Sequence, residues 1–166
     1  MEFKVNIIGL GIMGKNVGRA LSRNPMVKLT ACADLKQENI DQAKAELGFE
    51  KGYTDFEKMI AAEKPDAVFI ATPDWAHHKP VMTCLDAGIH VCVEKPLTTV
   101  ETEAADIVRK VKATGLKLQV SYNHRWLAPY HGTFNMIREG KLGQCIMGYA
   151  RKNNPISVPT VMIPWA

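Results

Sequence analysis

The sequence predicts an α/β fold, a doubly wound parallel sheet with helices on both faces, followed by the start of a second, α+β, domain. Three observations predict it. Short apolar runs alternate with amphipathic helical stretches, most of these stretches close at or soon before a Gly or Pro, and a glycine-rich turn follows the first apolar run directly. Strands joined by helices of this length require right-handed crossovers, hence parallel strands and a sheet covered on both faces.

Taken in order, the apolar runs place strands at Lys4 to Gly9, Val27 to Ala33, Ala67 to Ala71, His90 to Val93 and Lys117 to Ser121. Helices are expected at Ile12 to Arg23, Gln37 to Leu47, Asp55 to Ala62, His78 to Ala87 and Thr99 to Thr114, with Thr98 and Glu101 spaced as a capping box for the last. The runs Val5-Asn6-Ile7-Ile8 and Ala67-Val68-Phe69-Ile70-Ala71 suit the buried centre of the sheet. After Ser121 the character changes: Tyr122-Asn123-His124-Arg125-Trp126, a helix near Tyr130 to Glu139, and a strand near Gln144 to Lys152. The last 14 residues hold three prolines and no convincing helix. The strand at Gln144 to Lys152 reads as the first of a second sheet, so the domains expected are 1–122 and an incomplete 123–166.

Composition narrows the function classes. The chain has 166 residues, 46% of them hydrophobic and 23% charged, enough for one core that buries roughly 68–70% of the unfolded surface. No apolar run reaches the length of a membrane span, and the glycines in the first apolar run argue against a cleaved leader. The 21 basic and 17 acidic residues are dispersed, so no cationic face for nucleic acid is expected. Cys32, Cys84, Cys92 and Cys145 show neither a C-x-x-C pair nor zinc spacing and read as buried small hydrophobes in a reducing cytosol. The location expected is cytoplasmic.

Gly9-Leu10-Gly11-Ile12-Met13-Gly14 sets G-x-G-x-x-G between the first strand and the first helix. In a dinucleotide-binding turn, Gly9 makes the tight bend, Gly11 lets the backbone approach a pyrophosphate, and Gly14 lets the helix lie close to the sheet. The free N–H groups at Ile12 and Met13 then face the phosphates. A glycine-rich turn alone gives the same letters. The context is more telling: Asp34 ends the second strand 20 residues after Gly14, where a carboxylate accepts from adenosine ribose hydroxyls and repels a 2′-phosphate. NAD is therefore the expected cofactor, with NADP kept open by Lys36.

Two further segments leave strands at the same edge. Thr72 and Pro73 follow the central strand and are placed at the nicotinamide ribose side, although a plain turn explains them as well. His77 and His78 are adjacent, the wrong spacing for two metal ligands on one helix face, so no metal is expected. Glu94-Lys95-Pro96 ends the next strand. Beside a cationic nicotinamide and partly desolvated, Lys95 is expected to fall below its ordinary pKa of about 10.4 and to move a proton or polarise a hydroxyl. On position alone, a surface lysine paired with Glu94 fits equally.

Together, the Gly9, Gly11, Gly14 loop, Asp34, Thr72-Pro73-x-x-x-His77 and Glu94-Lys95-Pro96 resemble the Gfo/Idh/MocA oxidoreductases, the group of glucose–fructose oxidoreductase and inositol dehydrogenase. The resemblance implies a Rossmann fold, Lys95 as the catalytic lysine, and His77 and Glu94 lining the site. Tyr122-Asn123-His124-Arg125-Trp126 looks like the family's hinge, which would set Asn123 and Arg125 near cofactor or substrate. It implies hydride transfer between C4 of the nicotinamide and a carbinol carbon of a sugar, cyclitol or related polyol, in a homo-oligomer. Further catalytic residues of the family, an Asp and a His on one helix, fall beyond residue 166. The alternative is a dinucleotide-binding module without turnover.

Overall fold

A computed structural model describes residues 2–149 and 151. The chain forms two compact units, Met1–Ser121 and Tyr122–Ala166.

The first unit is a six-stranded sheet in which every paired neighbour is parallel. Its strands are β1 (Phe3–Ile8), β2 (Val27–Ala33), β3 (Lys51–Tyr53), β4 (Ala67–Ile70), β5 (His90–Val93) and β6 (Leu118–Val120). Between them run the helices α1 (Ile12–Leu21), α2 (Gln37–Leu47), α3 (Phe56–Glu63), α4 (His78–Asp86) and α5 (Glu101–Thr114). The spatial order is β3-β2-β1-β4-β5-β6, so chain direction across the sheet reverses between β1 and β4. Such a reversal opens a crevice at the carboxyl ends of the strands.

The core has two layers because each strand sends alternate side chains to opposite faces. One layer joins Val5, Ile7, Leu29 and Cys32 to Ile40, Ala43 and Leu47 of α2. The other joins Ile8, Ala31, Ala33, Val68, Ile70, Val91 and Val93 to residues of α3, α4 and α5, among them Met59, Val81, Leu85 and Ile107. Asp55 caps α3 by accepting from the N–H groups of Glu57 and Lys58 at 2.9 and 3.3 Å. That satisfies two donors that a helix start leaves without intrahelical partners.

Several expectations change. The strand β3 was not read from the sequence, since Lys51-Gly52-Tyr53 has neither apolar run nor alternation. It is held by tertiary contacts: it pairs with Ala31, Cys32 and Ala33, and Lys51 and Tyr53 both bond the Glu63 carboxylate at the end of α3. The capping box at Thr98 and Glu101 does not form. Val100 is the N-cap of α5 and makes no side-chain cap; Thr98 Oγ1 accepts from the Val100 N–H at 3.2 Å and donates to Glu103. Glu103 lies two residues further into α5 than Glu101 and takes the Thr98 hydroxyl in its place.

In the second unit, a 3-10 turn (Asn123–Trp126) leads into α6 (Ala128–Arg138), two residues ahead of the expected start. Its rings pair locally, His124 on Tyr130 and Trp126 near His131. The expected strand at Gln144 to Lys152 is absent among the described residues 144–149 and 151. An apolar run such as Cys145-Ile146-Met147 becomes a strand only when a neighbour completes its hydrogen-bond ladder, and no described segment pairs with it. Cys145 is consequently exposed, unlike the buried Cys32 and Cys84. Residues 153–166, expected to lack a helix, lie outside the described residues.

Candidate functional site

The parallel register brings the singled-out segments of the first unit to one edge. Ile8 pairs with Ala33 on one side and Ile70 on the other, and Ile70 pairs with Val93. The residues that follow, Gly9, Asp34, Ala71-Thr72 and Glu94-Lys95, therefore emerge side by side at the crevice.

Gly9 turns the chain with φ +87°, a left-handed conformation costly to other residues, and a Cβ there would lie 2.6 Å from the Ala71 carbonyl. A Cβ on Gly14 would sit 1.9 Å from the Gly9 carbonyl oxygen, so α1 starts directly on the loop. Gly11 is different, since nothing lies within 4 Å of the space its Cβ would take. It is the N-cap of α1, makes no side-chain cap, and is followed by a first turn without acidic residues. The N–H groups of Ile12, Met13 and Gly14 thus stand at a positive helix end with open space before Gly11. Ile12 and Met13 themselves are exposed.

Asp34 is half-buried and its carboxylate is well held. Oδ2 accepts from the Leu10 N–H at 2.8 Å, and Oδ1 accepts from the Lys36 N–H at 2.9 Å and Asn39 Nδ2 at 3.0 Å. The acidic group and the glycine loop are one hydrogen-bonded assembly. Asn39 went unnoticed in the sequence; the available signal was an amide five residues past the acidic strand end, at the start of α2.

Thr72 Oγ1 donates to the Ala76 carbonyl at 3.3 Å, and Pro73 caps the 3-10 turn Asp74–Ala76. His77, which the resemblance implies lines the site, is 1% exposed. Its Nδ1 lies 2.8 Å from the Pro96 carbonyl oxygen and its Nε2 3.0 Å from that of Thr72. The ring thus bridges the loops that follow β4 and β5. Glu94 is also buried; Oε2 accepts from the Lys95 N–H at 3.2 Å, while Oε1 has no partner among the described residues. The ion pair between Lys95 and Glu94 is not formed, and the Lys95 side chain is exposed. Asn123 and Arg125 lie in the second unit, both exposed in its 3-10 turn.

The cysteines in the first unit are chemically quiet. Burial pushes the Cys32 and Cys84 thiols up to about 12 and that of Cys92 to about 11. Among the described residues, no three His, Cys, Asp or Glu side chains are grouped to hold a metal ion, and no helix is long and apolar enough to cross a membrane.

The residues present fit a dinucleotide. The fit rests on the open approach at Gly11, the loop that a Cβ at Gly9 or Gly14 would fill, and the carboxylate tied to that loop. Comparison with known proteins agrees, because residues 3–122 match the family described as "Oxidoreductase family, NAD-binding Rossmann fold". The chain belongs to this family. Among relatives, inositol 2-dehydrogenase of Rhodococcus erythropolis is 33% identical over 156 residues, covering 93% of this chain and 45% of that protein. Members of the family share the fold as well. A scyllo-inositol dehydrogenase from Lactobacillus casei, solved with NAD(H) and scyllo-inositol, superposes with TM-score 0.83 at 29% identity, covering 87% of this chain and 43% of that one. A myo-inositol 2-dehydrogenase from Lactobacillus plantarum gives TM-score 0.83 at 30% identity, covering 88% and 44%. The chain spans about half the length of these family members.

Proposed function

We propose that this chain holds NAD(H) for hydride transfer to or from a carbinol carbon of a cyclitol, sugar or related polyol. The observation that carries the cofactor part is the bond between Leu10 and Asp34, which makes phosphate-binding loop and ribose-binding carboxylate a single preformed surface. Gly11, with the N–H groups of Ile12, Met13 and Gly14, receives the pyrophosphate. Asp34 accepts from the ribose hydroxyls and opposes a 2′-phosphate, so NAD is preferred. Lys36 offers that phosphate a counter-charge, which makes discrimination against NADP one of degree.

When bound, the nicotinamide supplies or accepts the hydride. Thr72 and Pro73 would border its ribose, and the exposed Lys95 side chain would exchange the proton at the substrate oxygen, taking it up as the neutral amine when the carbinol is oxidised and giving it back as the ammonium when the carbonyl is reduced. His77 acts at one remove, tying the backbone after Lys95 to the loop that carries Thr72. The polyol class is supported by the inositol dehydrogenases among the relatives.

Calorimetric titration of NADH and NADPH into the chain, with Asp34→Ala beside it, tests the cofactor reading. The expected result is tighter binding of NADH, weakened about tenfold or more in the variant, the loss of a charged hydrogen-bond acceptor being worth about 1.5–3 kcal/mol. A folded chain that binds neither dinucleotide refutes the reading. The reaction is tested by NADH formation from NAD+ and a panel of inositols. Turnover that survives Lys95→Ala removes Lys95 from its role, and binding without any turnover leaves a module that only holds dinucleotide.

A further inference from the structure

Asn6 is a polar residue in the middle of an apolar strand, and it is 0% exposed. The register around it explains its presence. Phe3, Lys4 and Val5 pair in step with Val27, Lys28 and Leu29, but Ile7 pairs with Cys32 and Ile8 with Ala33. Two steps along β1 therefore match three along β2, and Thr30 and Ala31 together stand opposite Asn6. This is a β-bulge, which leaves an extra residue outside the ladder. The core layers confirm the change of phase: Leu29 and Cys32 pack in one layer, Ala31 and Ala33 in the other.

The Asn6 side chain fills the gap in the ladder. Its Oδ1 accepts from the Ala31 N–H at 3.0 Å and from Thr30 Oγ1 at 2.6 Å. A backbone N–H can only donate, so the group facing Ala31 is the carboxamide oxygen. Its Nδ2 has no partner among the described residues, which leaves the oxygen as the working half of the residue.

Beyond the bulge, Gly9 donates to the Ala33 carbonyl at 2.8 Å and Leu10 to Asp34 Oδ2 at 2.8 Å. Pairing without the bulge would set Cys32 opposite Ile8. Asp34 would then lie one residue, about 3.3 Å, further along the strand, with its side chain on the opposite face. We propose that Asn6 is a positioning residue for cofactor selection: by holding the bulge open it aims Asp34 at the glycine loop. This rests on the reading of Asp34 as the ribose contact.

Asn6→Val removes the acceptor and favours regular pairing. NADH and NADPH are titrated against the wild-type chain, Asn6→Val, and Asn6→Val with Thr30 deleted, with thermal melting to establish folding. Deleting Thr30 removes the extra residue, so regular pairing again brings Cys32 opposite Ile7 and Asp34 back to the loop. The expected result is a tenfold or greater loss of NADH affinity in Asn6→Val, with the preference for NADH over NADPH largely gone, and restoration of both on deletion. Where Asn6→Val alone does not fold, the deletion variant decides, and wild-type preference supports the proposal. A folded Asn6→Val with wild-type preference overturns it, as does a folded deletion variant that lacks the preference. Failure of both to fold also overturns it, because Asn6 then serves the fold rather than the aim of Asp34. Failure of the wild-type chain to bind either dinucleotide strikes the underlying reading instead.

Discussion

The Leu10 N–H donates to Asp34 Oδ2 at 2.8 Å, across a separation of 24 residues. Three donors converge on this carboxylate, so an amide in its place must turn its NH2 toward at least one of them. Asp34→Asn is expected to lower stability by about 1–3 kcal/mol, the usual effect of leaving a donor unpaired, and to weaken NADH more than NADPH. Denaturant unfolding with paired titrations checks both, and an unchanged midpoint would contradict the geometry.

Gly14→Ala reverses the usual sign of a helical substitution. Alanine ordinarily stabilises a helix over glycine by up to about 1 kcal/mol. Here its Cβ would lie 1.9 Å from the Gly9 carbonyl oxygen, a backbone atom without freedom to withdraw. Overpacking should dominate, with a net loss of about 1–3 kcal/mol and little remaining NADH affinity. Thermal melting and calorimetry read the two effects, and a stabilised variant would show that α1 can move off the loop.

Thiol labelling should sort the cysteines by burial. At mildly alkaline pH, Cys145 is expected to react rapidly with an aromatic disulfide reagent. Cys32 and Cys84, with thiols pushed up to about 12, should react only on unfolding, since the thiolate is the nucleophile. Cys92, at about 11, should fall between. Rapid titration of more than one thiol in the native chain would contradict this order.

Acid should release β3 through Glu63. Bonds from Tyr53 and Lys51 hold the Glu63 carboxyl below its ordinary range. A depressed native pKa stabilises the fold fully above the unfolded value, about 4.3 for Glu, and that stability fades as pH falls through the native value. Glu63→Gln should therefore be less stable than wild type at neutral pH, with the gap closing below about pH 4. Unfolding curves across this range check it; a gap that widens on acidification has the wrong sign.

Where the sequence could be read and where it could not follows from what each element depends on. The helix Gln37–Leu47 and the strands Val27–Ala33 and His90–Val93 match their expected bounds, because turn residues and apolar spacing delimit them locally. The strand β3 is set by partners distant in sequence, Ala31 to Ala33 and Glu63. The run after Gln144 had the right pattern and no neighbour to complete it. Within the site, the glycine turn was visible because its steric demand is written in residue type. The inward turn of His77 depends on two carbonyls brought together by the sheet, and a motif does not show burial. Asn6 was legible as a polar interruption of an apolar run, yet its purpose appears only with the register of β2.

A sheet whose site residues all leave from one edge also has a spare edge. The return segments at 22–26, 64–66, 87–89 and 115–117 carry none of the residues assigned to cofactor or proton transfer. For engineering, this separates two kinds of territory within 121 residues. Dyes, affinity handles or new chain termini belong on the return side, with 22–26 a first choice, where a conjugate can report on the crevice without standing in it.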